Sequence, residues 1–351
     1  MAIFGYDYIK DLPGRGVLEA LGLGVKLKSD DLVLRVDFGT VDENLVVLDP
    51  RAGNISSVKS FCEEIGVQKI GNFTFKIYPG LAHRAVLVIS GPSVSRAIYH
   101  HSTVVTDTDP HKAKAHRGGN KVLIPRSADG SKESNLTAAA LWKYQQQTHK
   151  ILNDYVENRV RSRQGHLPAN FILTRGGGFL KPVESINDRF SIKATCVAGA
   201  PLYKGIARYL GMKVVEVPGA TGGTDTDVAA KVQSTLKALS DGSNFVFLHF
   251  KGTDVVAEED GDFEAKIDFL ERADKELSSL LSIDAILCIT GDHATPCILK
   301  DHSLDAVPIM IKGTKRDDVA IFNEIDCTKG SLGHMMGPDI MPELLREARN
   351  V

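Results

Sequence analysis

Short apolar runs alternate with longer amphipathic stretches over the C-terminal part of the chain, from about residue 193 onwards. Runs such as FVFLHF and AILCIT are apolar at nearly every position, which is typical of parallel strands that helices cover on both faces. The expected strands are 194–198, 213–217, 244–250, 284–290 and 307–311, and the expected helices are 203–210, 225–240 and 262–281. This alternation predicts a doubly wound α/β domain, whose ligand site lies beyond the carboxyl ends of the strands.

The N-terminal part has a different texture, with strand-like segments punctuated by Gly, Pro, Asn and Asp. A stretch rich in Leu, Ala, Gln and Lys between residues 131 and 163 predicts one long helix that begins near Ser134. The glycines of TRGGG are expected to halt the last strand of this region. The expected strands are 31–38, 43–49, 73–78, 83–90, 102–106 and 170–174, with a helix at 58–65.

Length and composition narrow the class of protein. A chain of 351 residues exceeds one ordinary hydrophobic core, so two domains are expected. The net charge of −2 and the lack of a basic tract argue against nucleic acid as a partner. Neither a membrane span nor a secretory signal is expected, because no apolar run is long enough and the N-terminus lacks a basic segment followed by an apolar one. The five cysteines form no CxxC pair, which favours reduced thiols and a cytoplasmic location.

Asp and His follow two of the expected strands directly. Asp254 lies in the KGTD segment after the strand at 244–250, Asp292 and His293 lie in GDHATP after the strand at 284–290, and His302 follows nine residues later. Carboxylate and imidazole together suit a divalent ion such as zinc or manganese. Each residue alone has a simpler interpretation, as a helix cap, a turn residue or a polar surface residue. Their joint occurrence at the ends of two strands favours a metal site.

Other polar segments contain candidate ligand-binding residues, but their sequence patterns alone do not identify the ligand. Arg175 ends a strand and precedes three glycines, so it suits phosphate or carboxylate, although a surface arginine beside a turn fits equally well. Asp107 belongs to DTDPHK, which is also ordinary turn chemistry. Three arginines lie in or beside strands, where a charge is less expected than on a helix surface: Arg35, Arg51 and Arg84. The segment GATGGTD lacks the lysine of a phosphate-binding loop and is interpreted as a turn with a helix cap.

Taken in order, these segments resemble the archaeal-type cofactor-independent phosphoglycerate mutases of the alkaline phosphatase superfamily. The matching stretches extend over nearly the whole chain. GDHATP with the downstream His302 is similar to the superfamily in general, and LYKGIARYLGM and GATGGTDTD to the mutase branch. The further matches are FGYD at 4–7, GRGVLEALGLG at 14–24, LRVDF and TVD within 34–42, RAG at 51–53, DTDPHK at 107–112, PANFILTRGGG at 168–178, FKGTD at 250–254 and KGSLGHMMGPDIMP at 329–342.

The resemblance implies a fold, a reaction and a set of roles. The fold is an alkaline-phosphatase-like core, residues 1–14 and 186–351, with an inserted α+β substrate-binding domain at 15–185. The reaction is interconversion of 3-phosphoglycerate and 2-phosphoglycerate, in glycolysis and gluconeogenesis, with two divalent ions. Mn²⁺ is the expected metal, and Zn²⁺, Co²⁺ and Mg²⁺ are the alternatives; homo-oligomerisation stays open. The implied metal ligands are Asp254, Asp292, His293 and His302, and the implied substrate-binding residues are Arg175, Asp107 and Lys251.

The chain departs from the family pattern in two places. The family's phosphoryl-accepting serine precedes FGYD, so it is expected upstream of Met1 together with a strand that ends in Asp-Gly. The family also has a histidine four residues after the aspartate of GTD, where this chain has Glu258, followed by Glu259. Glu258 is therefore a further expected metal ligand, with Glu259 as the alternative. The alternatives are an inactive homologue that still binds metal or phosphoglycerate, and a phosphatase or another phosphomutase.

Overall fold

A computed structural model describes residues 1–7, 9–92, 94, 121–122, 124–127 and 129–350. Two compact units divide the chain. One comprises Met1–Leu12 and Val183–Val351, and the other comprises Pro13–Pro182. No helix among the described residues is long and apolar enough to cross a bilayer. The five cysteines are free thiols.

The Pro13–Pro182 unit is built on an antiparallel sheet. Its strands are β1 Leu32–Val41, β2 Val47–Asp49, β3 Val67–Ile70, β4 Phe73–Pro79, β5 Arg84–Ser90 and β6 Phe171–Gly178. Its helices are α1 Arg15–Gly22, α2 Lys59–Ile65, α3 Lys132–Asp154 and α4 Val156–Arg163. The order β2-β1-β5-β4-β3, with β6 also on β1, makes β1 the centre of the sheet. Every residue of β1 is buried.

The two faces of β1 are covered by different elements, because successive side chains on a strand point to opposite faces. Leu34, Val36 and Phe38 belong to the large core that α2 and α3 cover. Val33 packs with residues of α1 instead. Arg35 and Asp37 share the face of Val33 by alternation, so two charged side chains lie under α1. The alternation along LVLRVDF therefore explains how the sheet buries a charged pair.

Several boundaries in this unit differ from those expected, among them those of the long helix and of the last strand. The stretch expected as one helix is interrupted at Tyr155, which has an extended backbone and packs its ring edge-on against Phe61 at 5.2 Å. The strand at 170–174 does not halt at the glycines but continues to Gly178. Gly178 lies so close to the backbone of Pro13 that an added Cβ would be 1.9 Å from the Pro13 carbonyl oxygen. The glycines thus permit a close approach instead of ending the strand. The expected strand at 102–106 lies outside the described residues.

The other unit has α/β character, and its elements occur close to the expected positions. Its strands are β7 Ala194–Val197, β8 Lys213–Val215, β9 Phe245–Leu248, β10 Leu287–Thr290 and β11 Ile309–Lys312. Its helices are α5 Ile186–Phe190, α6 Pro201–Tyr209, α7 Val228–Ser240, α8 Gly252–Val255, α9 Phe263–Leu277 and α10 Ile340–Ala348. Short helical turns occur at Ala2–Phe4, Val256–Asp260, Ser278–Ser282, Asp326–Lys329 and Gly337–Asp339.

The strands of this unit form two separate sheets among the described residues. β7 is the centre of a parallel sheet in the order β8-β7-β9. β10 was expected beside β9 in the same parallel sheet, but it pairs antiparallel with β11. Phe4 of the N-terminal segment packs edge-on against Phe247 of β9 at 4.9 Å. The segments that follow β9 and β10 are nevertheless in contact, because Asp254 after β9 lies against Thr295 and His302 after β10.

Candidate metal centre

Asp254 is held in the short helix α8, a few residues after the end of β9. The helix packs tightly at Gly252, where an added Cβ would lie 2.5 Å from the ring of Phe269 on α9. One carboxylate oxygen, Oδ2, accepts a hydrogen bond from Lys251. The other, Oδ1, accepts a hydrogen bond of 3.0 Å from the hydroxyl of Thr295. The side chain therefore has a fixed position.

His293 and His302 come from the two ends of the loop that follows β10. A bridge between the backbones of Ala294 and Ser303 brings the two histidines side by side. Their rings stack with centroids 3.9 Å apart and an interplanar angle of 27°. His302 Nε2 lies 3.2 Å from Asp254 Oδ1. One backbone bridge thus brings His293 and His302 together, although they are nine residues apart in the sequence.

Asp254, His293 and His302 each offer a ligand atom, and these atoms lie within 4.8 Å of one another. One carboxylate with two imidazoles matches the donor set of Zn²⁺ or Mn²⁺ sites. The two histidines are partly accessible, with side chains 27% and 49% exposed, so an ion can reach them. The residues present fit a divalent ion.

The charges around Asp254 keep it ionised. Burial alone raises the pKa of the Asp254 carboxyl, but the hydrogen bond and charge of Lys251, together with the hydrogen bond from Thr295, bring it below its ordinary value. Nearby, burial and the charges of Lys231 and Lys251 lower the pKa of His249 to about 3. The His249 ring is therefore neutral at pH 7, and it stacks on Tyr203 at 3.5 Å.

Two other expected ligands lie outside this group of three. Asp292 Oδ1 lies 3.7 Å from His293 Nε2, and Asp292 Oδ2 accepts a hydrogen bond of 3.4 Å from the hydroxyl of Tyr203. Glu258 lies in the short turn Val256–Asp260 and is partly buried. Lys251, expected on the substrate side, contacts Asp254. Its ammonium group therefore lies at the metal centre.

A second polar cluster lies in the Pro13–Pro182 unit, where the antiparallel register places Arg35 opposite Arg175 and Asp37 opposite Arg84. The carboxylate of Asp37 contacts Arg35 Nη2 at 3.3 Å, Arg175 Nε at 3.0 Å and His83 Nε2 at 3.3 Å. Arg35 is completely buried. Of the arginines noted in strands, Arg35 and Arg84 are thus part of a cluster, not of a solvated edge.

Asp37 is ionised and His83 is neutral in this cluster. Burial raises the pKa of the Asp37 carboxyl, but the hydrogen bond from His83 and the charges of Arg35 and Arg175 hold it well below its usual range. Burial lowers the pKa of His83 more than Asp37 raises it. The ring of His83 therefore donates its Nε2–H to Asp37 as a neutral group.

Charged groups of both signs meet in the cluster. Among the described residues, the guanidinium groups of Arg15, Arg35, Arg84 and Arg175 are accompanied by the carboxylates of Glu19 and Asp37. Arg35 Nε and Arg84 Nε are buried and have no hydrogen-bond partner within the described ranges. Buried guanidinium N–H groups of this kind suit an anion as the ligand.

Sequence reasoning missed three of these polar residues. Asp37 and His83 join the cluster through strand pairing, and Thr295 contacts Asp254 through the fold of a loop, so none had a local pattern that marked it. Asp107 lies outside the described residues.

Comparison with known proteins gives a consistent result. A family model described as 2,3-bisphosphoglycerate-independent phosphoglycerate mutase matches residues 1–158. The enzyme of that name from Pyrobaculum islandicum is 38% identical over 356 residues, covering 98% of this chain and 83% of the relative. The corresponding enzyme 1 of Methanocaldococcus jannaschii is 37% identical over 353 residues, with 98% and 82% covered.

Two solved structures are similar over almost the entire chain. The PH0037 protein from Pyrococcus horikoshii matches with a TM-score of 0.78 and 29% identity, covering 100% of this chain and 82% of that one. The cofactor-independent phosphoglycerate mutase from Thermoplasma acidophilum matches with a TM-score of 0.65 and 30% identity, covering 99% and 85%. Since the curated relatives match over 98% of the chain, it belongs to the family of 2,3-bisphosphoglycerate-independent phosphoglycerate mutases.

Proposed function

We propose that the interconversion of 3-phosphoglycerate and 2-phosphoglycerate, the isomerase reaction of this family, takes place at the centre formed by Asp254, His293 and His302. The observation that carries the proposal is the approach of three ligand atoms to within 4.8 Å, from loops after two different strands. Asp292 and Glu258 complete the proposed ligand set for two ions, with Mn²⁺ as the expected metal.

The reaction requires the substrate's phosphorus–oxygen bond to break while a new one forms to an acceptor hydroxyl, and then the reverse transfer to the other glycerate oxygen. A divalent ion supplies charge neutralisation on the phosphoryl group and a lowered pKa for the acceptor hydroxyl. Asp254, His293 and His302 would bind this ion and fix its position. Lys251 supplies a second cation beside Asp254 for a phosphoryl oxygen.

Arg175 is proposed to bind an anionic group of the substrate. Its Nε is held by Asp37 at 3.0 Å, which fixes the plane of the guanidinium group. The buried Nε–H groups of Arg35 and Arg84, which have no acceptor among the described residues, support an anionic ligand such as carboxylate or phosphate. Asp107 is proposed as a further substrate-binding residue on the resemblance alone.

Thr295 contacts the centre, but its proton is donated to Asp254. Its side chain is also only 6% exposed, so it is a poor acceptor for a phosphoryl group.

The first experiment measures Mn²⁺ binding and mutase turnover with 3-phosphoglycerate, before and after the metal is removed with a chelator. We expect the protein to bind Mn²⁺ and turnover to depend on it. Turnover that metal removal leaves unchanged would contradict the proposed centre. Bound metal without any turnover would favour the inactive homologue.

Single substitutions test the centre itself. In the active form, Asp254→Asn and His302→Ala should each weaken Mn²⁺ binding by more than about tenfold and reduce turnover, because each removes a ligand. His334→Ala is the matched control, since His334 is an exposed histidine of the same unit. Equal affinity in all three variants would contradict the proposed centre.

A further inference from the structure

Thr295 lies between two of the proposed ligands. Its hydroxyl oxygen is 3.0 Å from Asp254 Oδ1 and 3.1 Å from His293 Nδ1. The residue is 6% exposed, so water has little access to these contacts. The hydroxyl is therefore a bridge between the loop after β10 and the helix after β9.

The direction of both hydrogen bonds follows from proton counting. An ionised carboxylate can only accept, so the hydroxyl must donate its single proton to Asp254. The same oxygen then accepts from His293, which requires a proton on His293 Nδ1. In the neutral ring the other nitrogen, Nε2, keeps its lone pair. That atom lies 3.7 Å from Asp292 Oδ1, on the side where a further proposed ligand lies.

Thr295 is well fixed to perform this role. Its carbonyl oxygen accepts a hydrogen bond of 2.9 Å from Lys266 on α9. Pro296 follows it and restricts its backbone to extended conformations. Threonine is also stiff about its first side-chain torsion. The hydroxyl position is therefore determined by a helix, a proline and the side chain's own branching.

We propose that Thr295 is a positioning residue that selects the His293 tautomer with a free Nε2 and aims both His293 and Asp254 at the metal. This inference rests on the proposed metal centre. It adds a residue that does not itself bind the ion but orients two of its ligands through hydrogen bonds.

The test compares Mn²⁺ affinity in Thr295→Val and Thr295→Ser, measured by titration followed by electron paramagnetic resonance of free Mn²⁺. Valine has the shape of threonine without the hydroxyl, so we expect about 10- to 100-fold weaker binding. Serine keeps the hydroxyl and should retain nearly all of the affinity. Equal affinity in Thr295→Val and the wild type would overturn the inference, while loss of binding in His293→Ala would show that the centre itself stands.

A spectroscopic measurement separates positioning from general stability. Nitrogen-15 shifts of the histidine rings in metal-free protein at about pH 8.5, where an ordinary imidazole is neutral, report which nitrogen carries the proton. We expect His293 in the Nδ1–H form in the wild type and in Thr295→Ser, and a shift towards the Nε2–H form in Thr295→Val. An Nε2–H form in the wild type would overturn the inference even if the valine variant did not fold. If the wild type bound no Mn²⁺, the proposed centre would fail and the inference with it.

Discussion

At the scale of single residues, Asp37 is surrounded by N–H donors in a position with almost no access to water. Its carboxylate contacts Arg35, Arg175 and His83, and its side chain is 1% exposed. Ionisation of such a buried group is sustained by its partners. Arg35 and Arg175 would repel one another without it, since both guanidinium groups contact this one carboxylate.

Asp37→Asn is expected to lower the free energy of unfolding by about 3 kcal/mol, because it leaves buried guanidinium groups without their counter-charge. Urea denaturation at pH 7 measures this. Asp241→Asn is the control, since Asp241 pairs with Lys237 in an exposed position, and its loss should cost less than about 1 kcal/mol. Similar values for the two variants would contradict the account of the cluster.

The stability of the wild type should also depend on pH through Asp37. The folded-state pKa of this group is depressed, so its contribution is present above the unfolded-state pKa and is lost as the pH falls. Below about pH 5 the unfolding free energy of the wild type should therefore fall more steeply than that of Asp37→Asn. Parallel curves for the two proteins would show that Asp37 is not ionised in the fold.

At the scale of elements, tight packing places the ligands. Helix α8 carries Asp254 and approaches the Phe269 ring at Gly252, where a side chain does not fit. The resemblance identified Asp254, but only the structure shows that a glycine and a phenylalanine fix its helix. The position of the ligand thus depends on residues with no polar chemistry.

Gly252→Ala is expected to displace α8 and weaken Mn²⁺ binding, with a loss of about 1–3 kcal/mol in stability from the overlap with Phe269. Adding Phe269→Leu makes room for the new methyl group and should restore most of the affinity, as measured by the same titration. Phe269→Leu alone serves as the control for the lost ring. A double variant as weak as Gly252→Ala would argue against this overlap as the cause.

The sequence predicted where helices and strands occur better than it predicted their boundaries and the pairing of the strands. Apolar runs located β7 and β9 closely, and an amphipathic stretch located α9, because these patterns are local in the sequence. It did not show that the helix ends at Tyr155, whose ring packs against Phe61, a residue distant in the sequence. Likewise, the pairing of β10 with β11 depends on tertiary structure, and the Asp37 cluster depends on strand register.

At the scale of the whole molecule, the chain divides into two compact units, and the residues Asp254, His293 and His302 all belong to the unit of Met1–Leu12 and Val183–Val351. A ligand stabilises only what it binds in the folded state. Metal should therefore raise the stability of the unit of Met1–Leu12 and Val183–Val351, and leave the stability of the Pro13–Pro182 unit unchanged.

Calorimetry with and without Mn²⁺ checks this. At an Mn²⁺ concentration about 100 times Kd, the unit with the metal centre should gain about 2.7 kcal/mol, and its unfolding transition should move to higher temperature. The transition of the other unit should stay where it is. With His302→Ala neither transition should move. An equal shift of both in the wild type would show that the units unfold as one.

The bridge between Ala294 and Ser303 has a practical consequence for labelling. It closes the loop at its base, so the spacing of His293 and His302 is set there and not by the tip. Ile298 at the tip is 92% exposed. A fluorophore attached at that position would lie within a few residues of the metal centre while leaving the base of the loop intact, which makes this loop a natural place for a reporter of metal occupancy.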